Sequence, residues 1–349
     1  MTRDAPTAET LPVAPSPHDA RGLRNRLNRI RHYDVNVTDL ERSSAWYQAT
    51  TGLRVVGRTS ADQAFPSLGI ARGRFEGVLL QDPDQGGKFP MIHLVEWKDP
   101  RPVGTPYRSH AQTGWYRIVP EVADLAVARE LCIAQGSIPF AESVDAMVKF
   151  HRNVDPHRYR VFTVQDPDGI AVEFSQPEAR LRQPVVPIVV AHNSPDVAGR
   201  MPFYTDTLGL DFMQGLQVGE LMPNVYSPGG GLVGHDGALM GLRGDTKVMF
   251  DWLQWNDTPS LPGPYAEPHH VGIMRCAFEV DDLDAAYATL LRSRWASDGE
   301  IEVAAPEDWD LGPEAGSIRV VNFTDPDGVG FQLVQQPAYP NATLNAYGL

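Results

Sequence analysis

Cysteine is almost missing from this chain of 349 residues: only Cys132 and Cys276 occur. Two thiols cannot make a disulfide framework or a cysteine-rich zinc site. Basic charge is also scarce, with 30 Lys and Arg against 44 Asp and Glu and a formal charge of −14. That balance argues against nucleic acid or an anionic membrane as the main partner. The one basic cluster, residues 21–31, reads as a solvated lead-in. No apolar run approaches the roughly 18 residues of a membrane-spanning helix; residues 185–191 are among the longest. The opening residues carry Pro6, Pro12, Pro15 and Pro17 instead of a signal-peptide apolar stretch, so the expected location is cytoplasmic. What remains is ordinary globular composition, 42% hydrophobic and 21% charged, at a length that suggests about two domains.

An internal repeat organises the chain. Val37-Thr38-Asp39, then Trp46-Tyr47, then Gly52-Leu53 return as Ser194-Pro195-Asp196, Phe203-Tyr204 and Gly209-Leu210. Glu96-Trp97 returns as Gln254-Trp255, and Glu121-Val122 with Asp124-Leu125 as Glu279-Val280 with Asp282-Leu283. Asp166-Pro167-Asp168-Gly169 returns as Asp325-Pro326-Asp327-Gly328. The offset drifts by two residues, which small loop insertions explain, so the protein is a tandem duplication.

Each half divides again. Residues 31–37 alternate, with His32, Asp34 and Asn36 on one face and Tyr33, Val35 and Val37 on the other, the period of a strand. Asp39 is suited to cap the next helix and Gly52 to stop it. Residues 53–57, 75–81 and 91–97 read as three further strands, the last two joined by the turn-rich 82–87. The second quarter repeats the order, with strands at 116–122, 160–164 and 170–175 and a helix from Asp124. Four βαβββ units therefore follow one another. The expected boundaries are a flexible tail to 28, one domain over 29–178, a linker at 179–186, a second domain over 187–337 and a tail from 338 to 349.

This order of motifs resembles the vicinal oxygen chelate superfamily of glyoxalase I, bleomycin-resistance proteins and extradiol dioxygenases. The likeness rests on the helix-start aspartates, the aromatic-Tyr pair, Gly-Leu, and the closing Asp-Pro-Asp-Gly that precedes Glu173. It implies an α+β fold in which two βαβββ units pair into a cupped mixed sheet around one pocket, with pairing expected inside each half. It also implies metal positions on the first and last strands of the paired units. In the N-terminal half these fall on His32, His93, Arg117 and Glu173, with Glu96 competing for the place of His93. In the C-terminal half they fall on Val189, Asp251, Arg275 and Gln332, where valine cannot bind a metal.

The resemblance thus points to one active domain, with His32, His93 and Glu173 as metal ligands, and one degenerate domain. Two imidazoles and a carboxylate suit non-haem Fe(II), and Zn, Mn or Ni remain possible. Arg117, which has no lone pair to offer, stands as a catalytic candidate that binds an anionic oxygen. His157 is a second catalytic candidate, because the order His157, Asp-Pro-Asp-Gly, Glu173 is similar to the extradiol signature, although Thr163 stands where that signature has tyrosine. The expected activity is a metal-dependent enzyme on a small oxygenated, anionic or phenolic substrate, dioxygenase-type being favoured. A glyoxalase-like lyase or isomerase, and a metal-free pocket that binds or rearranges an aromatic natural product, are the alternatives. A monomer or homodimer is expected, with a small-molecule partner only.

Overall fold

The computed structural model describes residues 22–82, 90–140, 144–148, 157–177, 188–212, 217–223, 232–242 and 249–335. The expected linker at 179–186, the C-terminal tail and most of the 82–87 turn lie outside these residues. Leu27 opens the first strand and Leu23 is fully buried, so the folded chain begins before residue 29.

Four βαβββ units are present. The first comprises β1 (Leu27–Asn36), α1 (Leu40–Thr51), β2 (Arg54–Phe65), β3 (Ile70–Gln81) and β4 (Met91–Asp99). The second comprises β5 (Gly114–Pro120), α2 (Leu125–Ala134), β6 (Val144–Val148), β7 (His157–Gln165) and β8 (Ala171–Pro177). In the third, β9 (Ile188–Asn193) leads through α3 (Val197–Pro202) to β10 (Asp211–Phe212), β11 (Gln217–Pro223), β12 (Leu232–Gly241) and β13 (Met249–Trp255). The fourth runs from β14 (Gly272–Val280) through α4 (Leu283–Leu291) and the short α5 (Arg294–Ser297) to β15 (Glu307–Asp310). A second short helix, α6 (Gly312–Ala315), then precedes β16 (Ser317–Thr324) and β17 (Gly330–Gln335).

The same local chemistry starts every unit's helix. Asp39, Asp124, Asp196 and Asp282 each accept a hydrogen bond from a backbone N–H in the first turn of α1, α2, α3 and α4, satisfying donors the helix leaves open. A side chain on the unit's closing strand accepts from the first helical N–H: Glu96 from Leu40 at 3.0 Å, Gln176 from Leu125 at 3.0 Å, Gln254 from Val197 at 2.9 Å and Gln335 from Leu283 at 3.2 Å. Gly52 ends α1 with φ 81°, a conformation glycine adopts without strain.

The units pair across the halves, which corrects the expected pairing within them. The first sheet runs β15-β16-β17-β14-β1-β4-β3-β2, joining unit four to unit one. The second runs β10-β12-β13-β9-β5-β8-β7-β6, with β11 on β12, joining unit three to unit two. Antiparallel β1–β14 and β5–β9 pairs form the two seams. Units of one half meet through helix and turn instead. Asp168 of the first Asp-Pro-Asp-Gly turn takes hydrogen bonds from Thr38, Arg42 and Ser43 beside α1, and Tyr47 donates to Asp166 at 3.0 Å. In the second half Ser194 and Arg200 bind Asp327, and Tyr204 donates to Asp325 at 2.5 Å. Trp46 and Tyr47 sit in the large core that joins the sheets, and Trp97 in a smaller core inside the first cup.

Candidate functional site

Cross-pairing redistributes the expected ligand positions between two cups. The first cup holds His32 and His93 with Arg275 and Gln332; the second holds Arg117 and Glu173 with Val189 and Asp251. His32 and His93 are therefore brought together, whereas Glu173 and Arg117 lie in the other sheet and do not join them. The physical reason is the seam: β1 runs against β14, so Asp34 is paired with Arg275 and with His93 of β4.

The carboxylate beside the two imidazoles is Asp34. Ligand-competent atoms of His32, Asp34 and His93 all lie within 4.8 Å of one another, and all three residues are buried. His93 Nδ1 is 2.7 Å from Asp34 Oδ1, and His32 Nε2 is 3.3 Å from the same oxygen. The two rings meet edge to face with centroids 5.4 Å apart. On its far side His93 Nε2 is 2.8 Å from Thr59 Oγ1. Gly77 makes room for that contact, since a Cβ there would stand 2.4 Å from the Thr59 hydroxyl and 2.7 Å from His93 Nε2. With Asp34 ionised, its 2.7 Å contact is a hydrogen bond donated by His93 Nδ1–H, and Nε2 accepts from the Thr59 hydroxyl; a cation on Nδ1 would take the place of that proton. His32 Nδ1 is buried without a hydrogen-bond partner among the described residues.

Electrostatics divide the cluster. Burial pushes His32 down to about 4, against the opposing pull of Asp34, so the ring is neutral and ligand-competent at pH 7. Burial would raise the Asp34 carboxyl, but Arg275 first and then His32 and His93 hold it well below the usual carboxylate range. Arg275 Nε donates to Asp34 Oδ2, leaving Oδ1 to face the histidines. The neutral His32 ring, the His93 ring and an ionised carboxylate fit a divalent cation.

The second cup is built differently. Arg117 Nη2 donates to Asp251 Oδ2 at 2.9 Å, and its Nε is 3.5 Å from Glu173 Oε2. Burial raises the Asp251 carboxyl, with Glu173 adding to the rise and Arg117 and His235 opposing it. A guanidinium stands between the two carboxylates, occupying electrostatically the place a metal would take. Glu96 is no substitute for His93; it caps α1 and pairs with Lys98 at 2.6 Å. His157 is the first residue of β7, paired with Val148, and its side chain lies outside the described residues. Asp34, Thr59 and the role of Arg275 escaped the sequence reading, although alternation already put Asp34 on the face of His32.

A cavity of about 570 Å³ adjoins the first cup. Arg275 and Asn322 stand in its wall, together with Tyr107, Trp115, Tyr265 and Phe331, while His32, Asp34 and His93 do not. Arg275 thus lies between the cavity and the histidine–aspartate cluster.

Residues 29–174 match the model of the Glyoxalase/Bleomycin resistance protein/Dioxygenase superfamily. Among solved structures, glyoxalase I from Zea mays is similar with a TM-score of 0.60 and 15% identity, over 88% of this chain and 92% of that one. A putative dioxygenase from Bacillus subtilis is similar with a TM-score of 0.52 and 16% identity, over 91% of this chain and 87% of that one. At these identities the likeness is one of fold. No curated protein matches the sequence.

Proposed function

From a chain whose residues 29–174 match the model of the Glyoxalase/Bleomycin resistance protein/Dioxygenase superfamily, we propose a metal-dependent vicinal oxygen chelate enzyme with its active centre in the first cup. The observation that carries this reading is the convergence of His32, Asp34 and His93 on one buried point. His32, His93 and Asp34 Oδ1 would hold the cation. When bound, it would act as a Lewis acid on adjacent substrate oxygens and, as Fe(II), support oxygen chemistry.

The chain's own residues supply the rest. Thr59, 2.8 Å from His93 Nε2, holds the orientation of the ring. Arg275 holds Asp34 ionised, so the donor set carries one negative charge at neutral pH. The aromatic core of Phe65, Phe75, Trp97 and Trp309 closes the cup against water, which strengthens charge interactions inside it. Three protein donors leave positions open for substrate, and two-His-one-carboxylate sets of this kind favour dioxygenase-type chemistry with Fe(II). A glyoxalase-like isomerase or lyase uses the same fold with Zn or Mn.

A second reading has one observation in its favour: Arg275 already neutralises Asp34. In that reading the cluster is a hydrogen-bonded network and the protein a metal-free pocket for an aromatic compound. Oxygen uptake with phenolic and 2-oxo acids, measured with Fe(II), Mn(II) or Zn(II) supplied, separates the classes. The dioxygenase reading expects uptake that needs Fe(II) and is lost in His93→Ala. Isomerisation without oxygen uptake selects the glyoxalase-like alternative, and no metal binding at all selects the metal-free one.

A further inference from the structure

We infer that the cavity beside the first cup is a binding pocket that selects an aryl carboxylate, docked through Arg275. The cavity adjoins the proposed metal centre without including its ligands, so the inference goes beyond the proposed function. Arg275 is held on three sides. Its Nε donates to Asp34, its Nη1 donates to Asn322 Oδ1 at 3.1 Å, and its guanidinium carbon lies 5.2 Å from the centre of the Trp309 ring. Nη2 has no hydrogen-bond partner among the described residues, yet the arginine lines the cavity.

The support for Arg275 is itself tied down. Asn322 Oδ1 also accepts from Gln332 Nε2 at 3.0 Å, while Asn322 Nδ2 donates to Ser67 Oγ at 2.7 Å. Ser67 in turn donates to Glu307. A guanidinium fixed in place with a donor left over binds an anion without first having to be ordered. Aromatic side chains share the lining: Tyr107 and Tyr265 stack with centroids 4.0 Å apart, and Trp115 packs edge-on to Phe331 at 5.3 Å. A mixed lining with several aromatic rings and one fixed cation suits a planar ring bearing a carboxylate. The cavity's one carboxylate, Glu302, belongs to an exposed residue and does not cancel that cation.

Charge counting links this pocket to the metal reading. Arg275 and Asp34 cancel, so a bound carboxylate leaves one net negative charge that a cation on the histidines offsets. Anion and cation should therefore strengthen each other's binding, reciprocally.

Isothermal titration of the full chain, stripped with chelator, with benzoate and with its neutral analogue benzamide tests the docking mode without any metal. Benzoate is expected to bind at least about tenfold more tightly than benzamide, the difference a charge-assisted hydrogen bond makes. Arg275→Met is expected to abolish that preference, with folding checked by circular dichroism. If the variant does not fold, the wild-type comparison alone decides. Equal binding of the two probes, no benzoate binding, or a folded Arg275→Met that keeps the preference would overturn the inference. Repeating the benzoate titration with Zn(II) reads the coupling separately. Benzoate selectivity with no response to Zn(II) leaves the pocket standing and removes the metal reading; Zn(II) binding without benzoate selectivity does the reverse.

Discussion

The two cups share a scaffold and differ in what fills it. Each has an arginine at the same repeat position, Arg275 in the first and Arg117 in the second, and each arginine meets an aspartate. In the first cup that aspartate is also faced by two histidines. In the second, two carboxylates converge on the guanidinium, which neutralises part of their charge from within. One fold thus yields a centre that can accept an external cation and one that carries its own. The difference comes from a handful of side chains on β1, β4, β8 and β13, not from the backbone.

Removing each arginine should separate the cups most strongly. Arg117→Met leaves half-buried Asp251 and buried Glu173 without their shared cation, and urea unfolding is expected to show a loss of about 3 kcal/mol. Arg275→Met leaves Asp34 with two imidazoles still beside it, one of them hydrogen-bonded, so a smaller loss of about 1–3 kcal/mol is expected. Equal losses would mean that the histidines give Asp34 no support.

Acid should find a second difference, at a position where the sheets diverge. His192 on β9 occupies the repeat position of Val35 on β1. It is fully buried beside Trp115, Tyr204 and Asp325, and burial lowers it to about 3. A histidine below its ordinary value is protonated first in the unfolded chain as pH falls. The stability it contributes is whole above about 6.5 and is lost progressively towards about 3. Asp325, pushed up to about 7 by burial with Asp168's counterpart Asp327 adding, has the opposite sign, but it is present in both proteins compared. His192→Val should therefore lose about 2 kcal/mol less than the parent between pH 6.5 and pH 5. Parallel pH profiles would show that His192 does not carry this linkage.

A subtler change probes the first cup alone. Thr59→Val removes the hydroxyl that faces His93 Nε2 while keeping the shape. Loss of such an outer partner weakens metal affinity by about 10- to 100-fold. Competition against a chelating dye measures it, and unchanged affinity would mean that Thr59 does not orient the ring. Smallest of all should be the matched pair Tyr47→Phe and Tyr204→Phe. Each removes one buried hydrogen bond to an Asp-Pro-Asp-Gly turn, at a cost of about 1 kcal/mol. These two are expected to agree, because the halves are alike there, and thermal melts that differ widely would break the repeat equivalence.

The parts of the fold visible in the sequence are those that local chemistry dictates. Asp39, Asp124, Asp196 and Asp282 mark helix starts because capping is decided within one turn, and the Asp-Pro-Asp-Gly turns close hairpins by the same logic. His32 and His93 came forward as donors through the family resemblance, with Glu96 competing for the place of His93, while alternation put His32, Asp34 and Asn36 on one face. Which units pair was not recognisable. Nothing short-range in β1 says whether β5 or β14 lies beside it. That choice moved Glu173 away from the histidines and put Arg275 in the place expected of Arg117. Asp34 was overlooked for a related reason: it lies two residues beyond the position that resemblance picked out, and only the seam with Arg275 shows that its charge is retained.

Metal stoichiometry in a pair of variants tests the difference between the cups most directly. Elemental analysis after reconstitution and desalting should give one divalent ion per chain. That ion should be lost in the double variant His32→Ala, His93→Ala and kept in the double variant Glu173→Gln, Asp251→Asn. Two ions per chain, or one that survives removal of both histidines, would contradict the account.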